Sequence, residues 1–344
     1  MVVNLQKILV TGAGGYIGTQ LVRDLLKAGN QVTAVDRYFF GFEPIADMTS
    51  NKNLTVLQKD IRDLSVSDLK EHDAVCDLAC LSNDPAGEID PELTYQINRD
   101  GRIHVANTAK KAGVKKYILS SSCSVYGQGE DPELTEKSAT NPISVYAKST
   151  LQAEEHNLSL SDNNFSVTAL RNATVFGLST RMRFDLVVNL MTLTAFQKGR
   201  IIVMGGGLQW RPLVHLSDVS LAFQSVIKAD QSKVKSEIFN IGLSNFQIKN
   251  LAYLVREELP FPIEIDTAPD DPDKRDYNVV FDKAEKILNF KAKTTVTDGI
   301  REIYLALKSG KVDTGIKTVT VQWYRNIIEA KKLLDEIVLD GRVI

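Results

Sequence analysis

Length, composition and charge exclude several classes of protein at once. The chain has 344 residues, of which 43% are hydrophobic and 24% are charged, and its formal net charge is −2. This near-neutral balance gives no support for a nucleic-acid partner, and no uncharged apolar run is long enough to cross a membrane. Residues 1–6 lack the basic start and apolar core of a signal peptide, so we expect a cytoplasmic protein.

The cysteines predict neither a metal site nor a disulfide framework. Cys76, Cys80 and Cys123 lack paired metal-ligand spacing, and an odd number of cysteines cannot all pair within one chain. We therefore expect reduced thiols, most of them in the core, and no bound metal.

A glycine-rich segment follows the first predicted strand, residues 7–11, and precedes an amphipathic helix predicted over 19–28. Residues 11–18 read Thr-Gly-Ala-Gly-Gly-Tyr-Ile-Gly. Glycines here permit a tight turn and a close approach to a pyrophosphate, whose charge then faces the positive end of the helix. This order favours a dinucleotide site over an ordinary glycine-rich turn. The predicted cofactor residues in the segment are Gly12, Gly15, Tyr16, Ile17 and Gly18.

The second predicted strand, residues 31–36, ends in an acidic residue that bears on the choice of cofactor. Asp36 lies near the offset at which a carboxylate accepts hydrogen bonds from the adenosine ribose hydroxyls. It would repel a 2′-phosphate, which favours NAD over NADP. The neighbouring Arg37 can accommodate such a phosphate and so weakens the preference.

Helix and strand signals continue to alternate through the first half of the chain. Further strands are predicted over 54–58, 74–79, 116–121 and 166–170, and a helix over 93–112. Alternation of this kind predicts an α/β fold with a parallel sheet covered by helices on both faces. Together with the dinucleotide motif it predicts a doubly wound sheet of the Rossmann type.

After about residue 171 the pattern breaks into shorter pieces punctuated by glycine and proline. We predict an NAD-binding domain over 1–170, a smaller C-terminal substrate-binding lobe over 171–310 with some segments returning to the first domain, and a helical extension over 311–344. The extension has apolar residues at helical spacing between 323 and 339. That face must pack on the body of the subunit or on a second subunit.

Two further segments carry a family resemblance. Residues 120–127 read Ser-Ser-Ser-Cys-Ser-Val-Tyr-Gly, and residues 141–150 read Asn-Pro-Ile-Ser-Val-Tyr-Ala-Lys-Ser-Thr. With the glycine motif, they resemble the extended short-chain dehydrogenase/reductase family, specifically its nucleotide-sugar epimerases and dehydratases. The resemblance covers essentially the whole chain and includes the segments 170–177, 211–218 and 271–277. Residues 181–189 and 273–277 resemble GDP-heptose C4-dehydrogenases.

The resemblance implies a catalytic pair. Tyr146 matches the family tyrosine that acts as acid or base on the sugar O4 while hydride passes between C4 and the nicotinamide, and Ser122 matches the hydroxyl that binds the same O4. A free phenol is a poor base at neutral pH, so the family lowers its pKa with the cationic nicotinamide and a lysine four residues later. That position is Thr150 here. Lys148 is two residues from the tyrosine and faces another side of the helix.

Three explanations for Thr150 remain open at this point: an activating group from another segment, a slow enzyme that relies on the nicotinamide charge, or a protein that binds NAD(H) without catalysis. An altered sequence is a further possibility. A threonine hydroxyl can still hydrogen-bond the nicotinamide ribose, but it supplies no charge.

The remaining predicted site residues also follow from the resemblance and the predicted strand order. Further cofactor residues are Asp60, Ile61, Leu78, Ala79, Cys80, Asn98, Ser120 and Ala173. Arg211 and Arg275 match arginines that grip the nucleotide diphosphate, which suits their planar donors. By the same resemblance, Asn189 matches a residue near the phosphates, Met204 would lie near the nucleotide base, and Thr174 stands where many epimerases carry a substrate-contacting asparagine.

What is missing narrows the reaction. Family dehydratases use an acidic pair just after the residue that matches Ser122, where this chain has Cys123 and Ser124. Dehydration is therefore ranked below C4 oxidation or epimerisation, unless Asp84 or Glu88 supplies the carboxylate. The rival class is a non-catalytic NAD(H)-binding or regulatory protein. The resemblance also implies a nucleotide-diphospho-sugar substrate and a homodimer built on the helix after Asn98 and the helix that carries the tyrosine.

Overall fold

The computed structural model describes residues 5–128, 132–270, 273 and 275–343 of the chain. The strands in these ranges are β1 (Lys7–Thr11), β2 (Gln31–Asp36), β3 (Leu54–Gln58), β4 (Ala74–Asp77), β5 (Lys116–Ser122), β6 (Ser166–Asn172), β7 (Thr174–Phe176), β8 (Arg200–Met204), β9 (Trp210–His215), β10 (Glu237–Ile241), β11 (Ser244–Gln247) and β12 (Glu264–Ala268).

The α-helices in the described ranges alternate with these strands. They are α1 (Tyr16–Lys27), α2 (Val66–Leu69), α3 (Asp84–Gly87), α4 (Pro91–Tyr95), α5 (Arg102–Lys111), α6 (Val145–Ser159), α7 (Val187–Lys198), α8 (Leu216–Lys228), α9 (Gln231–Val234), α10 (Ile248–Glu258), α11 (Asp282–Leu288), α12 (Val296–Lys308) and α13 (Thr320–Ile337). None of the described helices combines the length and the apolar character that a membrane crossing requires.

The central sheet has seven strands in the order β10-β6-β5-β4-β1-β2-β3. Every neighbouring pair is parallel. The chain starts in the middle, winds outward through β2 and β3, and then returns to β4 on the other side of β1. The sheet therefore has a switch point between β1 and β4, and a crevice for a ligand forms beyond the carboxyl ends of strands at such a point. The predicted doubly wound α/β fold is confirmed.

Alternating apolar residues explain how helices cover both faces of this sheet. Ile8 and Val10 belong to one buried cluster with residues of α1 and α8, whereas Leu9 belongs to the opposite cluster with residues of α5. A strand buried on both faces is continuously apolar, as the centre of β1, residues 8–10, is. The first turn of α1 is thereby fixed directly beyond the end of β1.

The predicted helix over 93–112 is interrupted. The structure has α4, a π-helical segment Gln96–Gly101 and then α5. Within the π segment, the fully buried Asn98 accepts a hydrogen bond from the Leu81 backbone N–H at 2.8 Å and donates one to the Leu81 carbonyl at 3.1 Å. These two hydrogen bonds hold the loop after β4 in place. The interruption of the helix therefore helps to shape the crevice beyond the carboxyl ends of the strands.

The later part of the chain forms two small sheets, β11-β9-β7 and β12-β8. They share a buried apolar cluster with α7, α10 and α12. β10, from the same stretch of sequence, pairs instead with β6 in the central sheet. At the C-terminus, α13 buries Thr320 and Tyr324, while Leu333, Leu334 and Ile337 are 56%, 43% and 46% exposed. Only the start of the predicted apolar face is therefore packed on this subunit.

Candidate active site

One cavity of about 740 Å³ opens beyond the carboxyl ends of the central strands. Most of the predicted site residues line it. They are Gly12, Gly15, Tyr16, Ile17, Gly18, Asp36, Arg37, Asp60, Ile61, Leu78, Ala79, Cys80, Ser120, Ser122, Tyr146, Ala173, Thr174, Met204, Arg211 and Arg275. Asn98, Thr150 and Asn189 are the predicted site residues that the lining does not include.

The glycine turn fits a dinucleotide. Gly12 has φ +65°, and a Cβ atom at this position would lie 2.8 Å from the Ala79 backbone nitrogen. Gly15 is the N-cap of α1 and provides no side-chain cap, so the first N–H groups of the helix remain available to a ligand. The turn therefore needs glycine where the backbone is crowded, and it leaves donors where a diphosphate would lie.

Asp36 is held in place by backbone donors. Its Oδ2 accepts from the Gly14 N–H at 3.0 Å, and its Oδ1 accepts from the Tyr38 N–H at 2.7 Å. Burial raises the pKa of this carboxyl, while these two hydrogen bonds lower it. Arg37, which could accommodate a 2′-phosphate, lies 3.4 Å from an Asp60 carboxylate oxygen and so already has an anionic neighbour.

Tyr146 lies in the first turn of α6. Ser144 caps this helix by accepting from the Ala147 N–H at 3.1 Å, and Glu88 accepts from the Val145 N–H at 2.8 Å. The helix α3 packs so closely that a Cβ atom on Gly87 would lie 2.9 Å from the Tyr146 backbone nitrogen. The backbone at Tyr146 is thus held by the hydrogen bonds at the start of α6 and by the close packing of α3.

Tyr146 is half-buried in the cavity wall, and the environment of its phenol works against ionisation. Burial raises its pKa above the usual range, and Asp84 adds to this effect. The nearby Ser122 hydroxyl and the charge of Arg102 lower the pKa of this phenol. The two predicted catalytic residues thus lie close together in the cavity wall, and a positive charge acts on the phenol from outside its own helix.

Thr150 is completely buried, and its hydroxyl has no hydrogen-bond partner in the described part of the chain. The helix turns Lys148 outward, where it is exposed. No cation therefore occupies the position four residues after Tyr146, and Lys148 does not replace it.

Arg102 is a residue that the sequence analysis missed. It is 1% exposed, its Nη2 donates to the Ser120 carbonyl at 2.6 Å, and its Nε donates to Asp77 at 3.3 Å. The available signal was its spacing, because it follows Asn98 by four residues and so shares its buried face. Burial of an arginine cannot be inferred from that spacing alone.

The two predicted diphosphate arginines lie side by side, and both are ion-paired. Asp273 lies 2.9 Å from Arg211 and 2.5 Å from Arg275, which also lies 2.5 Å from Asp84. Burial would raise the pKa of Asp273, but the two arginines hold it well below its usual range. Residues 271, 272 and 274 of this segment lie outside the described residues.

Asn189 is fully buried behind the lining. Its side chain donates to Tyr16 Oη at 3.1 Å and to the Arg183 carbonyl at 2.9 Å, and it accepts from the Gly177 N–H at 3.1 Å. These hydrogen bonds position Tyr16 and the chain around Arg183. Asn189 itself does not line the cavity and can affect a ligand there only through these two residues, which do.

Few acidic groups are available for elimination chemistry. Asp84 lines the cavity, but it is engaged by Arg275 and by the Ser144 hydroxyl at 2.5 Å. Cys123 is buried, and burial raises the pKa of its thiol. In the described ranges, no cluster of His, Cys, Asp and Glu has a metal-binding arrangement, and the three thiols are free.

Several known proteins are similar to this chain. The model of the NAD dependent epimerase/dehydratase family matches residues 8–242. UDP-glucuronic acid decarboxylase 1 of Arabidopsis thaliana is 28% identical over 307 residues, covering 86% of this chain and 68% of that protein. UDP-glucose 4-epimerase of Lactobacillus helveticus is 27% identical over 261 residues, covering 70% of this chain and 77% of that protein.

A solved structure extends the comparison to the fold. MoeE5 in complex with UDP-glucuronic acid and NAD is 27% identical, with a TM-score of 0.78 over 88% of this chain and 99% of that chain. The predicted family resemblance and the predicted cofactor, NAD, are confirmed, whereas the finer resemblance to GDP-heptose enzymes stays a prediction. The chain belongs to the NAD dependent epimerase/dehydratase family.

Proposed function

We propose that this protein is an NAD-dependent oxidoreductase or epimerase that acts at C4 of a nucleotide-diphospho-sugar. The placement of Tyr146 and Ser122 close together in the wall of one cavity is the observation that carries the proposal. Both residues line the one cavity that the glycine turn and the paired arginines also line. A hydroxyl of a bound sugar would meet an acid/base residue and its hydrogen-bond partner there.

Tyr146 removes the proton of the sugar O4 hydroxyl, and Ser122 orients the same oxygen by a hydrogen bond. NAD, when bound, supplies the acceptor for the hydride from C4. Because burial raises the pKa of the phenol, the reaction needs positive charge near it. Arg102 provides part of this charge, and Thr150 provides none.

The similarity to enzymes named for UDP-sugars supports a nucleoside-diphosphate sugar as the substrate class. Oxidation at C4 can be the first step of both 4-epimerisation and decarboxylation. A 4-keto sugar can be reduced on its other face, and a 4-keto sugar with a C6 carboxylate is a β-keto acid, which loses CO₂ readily. Asp84 is tied to an arginine, so oxidation or epimerisation is favoured over dehydration.

A second candidate function is that of an NAD(H)-binding protein without turnover. The observation that favours it is the buried Thr150, whose unpartnered hydroxyl replaces the activating lysine. Arg211 and Arg275 argue against it, because a sensor of NAD(H) alone has no need of a diphosphate grip.

Incubation with NAD and a panel of UDP-, GDP-, TDP- and CDP-sugars tests the proposal, with NADH absorbance and product mass followed together. NADH formation with loss of two hydrogens identifies oxidation, and a new sugar of unchanged mass identifies epimerisation. Loss of CO₂ or water would move the reaction to decarboxylation or dehydration, and cofactor binding without turnover would favour the second candidate. Light scattering on the same preparation tests the predicted homodimer, and the cytoplasmic location stays a prediction.

A further inference from the structure

Arg181 is a buried arginine that the mechanism above does not use. The residue is 5% exposed and lines the cavity. Its Nη2 donates to Thr320 Oγ1 at 2.9 Å, whereas its Nε has no hydrogen-bond partner among the described residues. Arg183, two residues along the chain, differs in that it pairs with Asp185 at 2.9 Å. Within the described ranges, Arg181 has no such carboxylate partner.

Arg181 is a buried cation on which the carboxylates of Asp185 and Asp36 act only through space, without a direct ion pair. Burial, together with the positive charge of Arg183, lowers the pKa of Arg181 to about 10. The guanidinium therefore stays charged at neutral pH. A desolvated charge without a direct ion pair is unfavourable, so such a residue is expected to gain stability when a ligand supplies a negative charge.

The backbone near Arg181 is tied to the first turn of α1. The Arg181 N–H donates to Ser179 Oγ at 3.3 Å, and that hydroxyl donates to the Tyr16 carbonyl at 3.0 Å. Thr19 Oγ1 lies 3.1 Å from the same Ser179 oxygen. The charge of Asp36 also acts on Arg181. The arginine thus belongs to the region between the glycine turn and the ribose-binding carboxylate.

The C-terminal helix α13 completes the surroundings of the guanidinium. Thr320 accepts its hydrogen bond, and Tyr324 lines the cavity. The guanidinium carbon lies 3.6 Å from the centroid of the Phe40 ring, which contacts the Tyr324 ring at 5.7 Å between centroids. Trp323 Nε1 donates to the Phe39 carbonyl at 3.0 Å and fixes the helix to the loop after β2. A planar cation stacked on a ring in this way keeps its N–H edge free for a ligand.

We propose that Arg181 binds the diphosphate of the dinucleotide cofactor, and that α13 holds it in position through Thr320 and Tyr324. The proposal rests on NAD binding, which the proposed function also requires, but it does not depend on any sugar reaction. It gives the helical extension a role in cofactor affinity, although the glycine turn lies about three hundred residues earlier in the chain.

Calorimetric titration of the full-length protein with NADH, ADP-ribose, adenosine and UDP tests this assignment. Arg181→Met should weaken NADH and ADP-ribose about 10–100-fold, the range expected for a lost charge-assisted hydrogen bond. Adenosine and UDP should change less than about twofold, since the first lacks a phosphate and the second belongs at the paired arginines. Arg181→Lys should recover part of the loss, and Thr320→Val should weaken NADH less than Arg181→Met does.

Arg256→Met is a matched control, because Arg256 is exposed and its guanidinium stacks on the Tyr253 ring at 4.9 Å. It should alter no affinity. The melting temperature of the ligand-free Arg181→Met protein should stay level or rise, because an unpaired buried charge has been removed. Unchanged NADH affinity, or an equal loss for adenosine, would overturn the proposal. A loss confined to UDP would assign the arginine to the substrate diphosphate and overturn it as well.

Discussion

The cofactor region and the substrate region of the cavity carry positive charge in different ways. In the cofactor region, Arg181 is buried without a carboxylate partner among the described residues. In the substrate region, Asp273 pairs with both Arg211 and Arg275. An unpaired buried cation gains directly from an incoming anion, whereas a paired arginine must exchange or share its partner. The cofactor region can therefore bind an anion without breaking an ion pair. The substrate region must rearrange its ion pairs when its ligand binds.

Tyr146 lines the cavity that the two regions share, and its substitution should give the largest effect on turnover. Tyr146→Phe removes the proton acceptor, so turnover should fall about 10²–10⁴-fold, the usual contribution of general acid–base catalysis. NADH affinity should be unchanged, because the phenol is not needed to hold the cofactor. Steady-state kinetics and NADH titration measure the two quantities.

Tyr253→Phe is the matched control for this change, because Tyr253 is exposed on α10, far along the chain from the catalytic motifs. It should alter neither quantity. Turnover by Tyr146→Phe at the rate of the unaltered protein would exclude the phenol from the proton transfer.

Arg211→Gln separates the two regions by affinity. Asp273 keeps Arg275 as a partner, so the variant should fold, and it should bind UDP and GDP about 10–100-fold more weakly through the lost bidentate contact. NADH affinity should not change. An equal loss of NADH affinity would show that the regions are coupled and that the contrast between them is wrong.

The sequence alone predicts the central sheet accurately and the electrostatics poorly. The strands over 7–11, 31–36 and 54–58 are confirmed residue for residue, because each has an apolar, β-branched run between turn residues. The strand predicted over 74–79 ends at residue 77, because the next two backbone N–H groups donate to Thr11 Oγ1 at 3.1 Å. Such an ending depends on a residue from another strand and leaves no local signal.

The cavity lining follows largely from the motifs, but the state of its charges does not. The pair between Arg275 and Asp84 joins residues 191 positions apart. The burial of Arg102 and the missing partner of Arg181 depend on the same long-range packing. A motif identifies which arginines could meet a phosphate, and only the assembled fold determines which of them already has a counter-ion.

Thr150→Lys tests whether the phenol lacks positive charge. A lysine at this position would lower the pKa of Tyr146, so the phenolate fraction at a given pH rises and the pH optimum moves downward. A shift of one pKa unit corresponds to about a tenfold gain in rate on the rising limb of the pH profile.

Thr150→Met is the control for side-chain length without charge, and thermal melting checks that the buried site accepts either residue. An unmoved pH profile in a well-folded Thr150→Lys protein would mean that Arg102 or another group already supplies the required charge. The charges around Tyr146 would then already be compensated without the ligand, as those of Arg211 and Arg275 are by Asp273 in the substrate region.

Asp273→Asn should give the smallest effect and sharpens the contrast from the substrate side. Removing the shared carboxylate leaves the positive charge of Arg211 less compensated when the diphosphate binds. KM for the sugar nucleotide should therefore fall a few-fold, about 1 kcal/mol or less.

Because the arginines hold the pKa of Asp273 well below its usual range, the carboxylate stays ionised from about pH 5 to 8, and the KM ratio of the two proteins should be constant there. The folding stability from this low pKa is present above about pH 4 and is lost on acidification, so the two proteins should converge in stability in acid. A KM ratio that approached one near neutral pH would show that Asp273 titrates there, and the substrate region would then lack the compensated charge that separates it from the cofactor region.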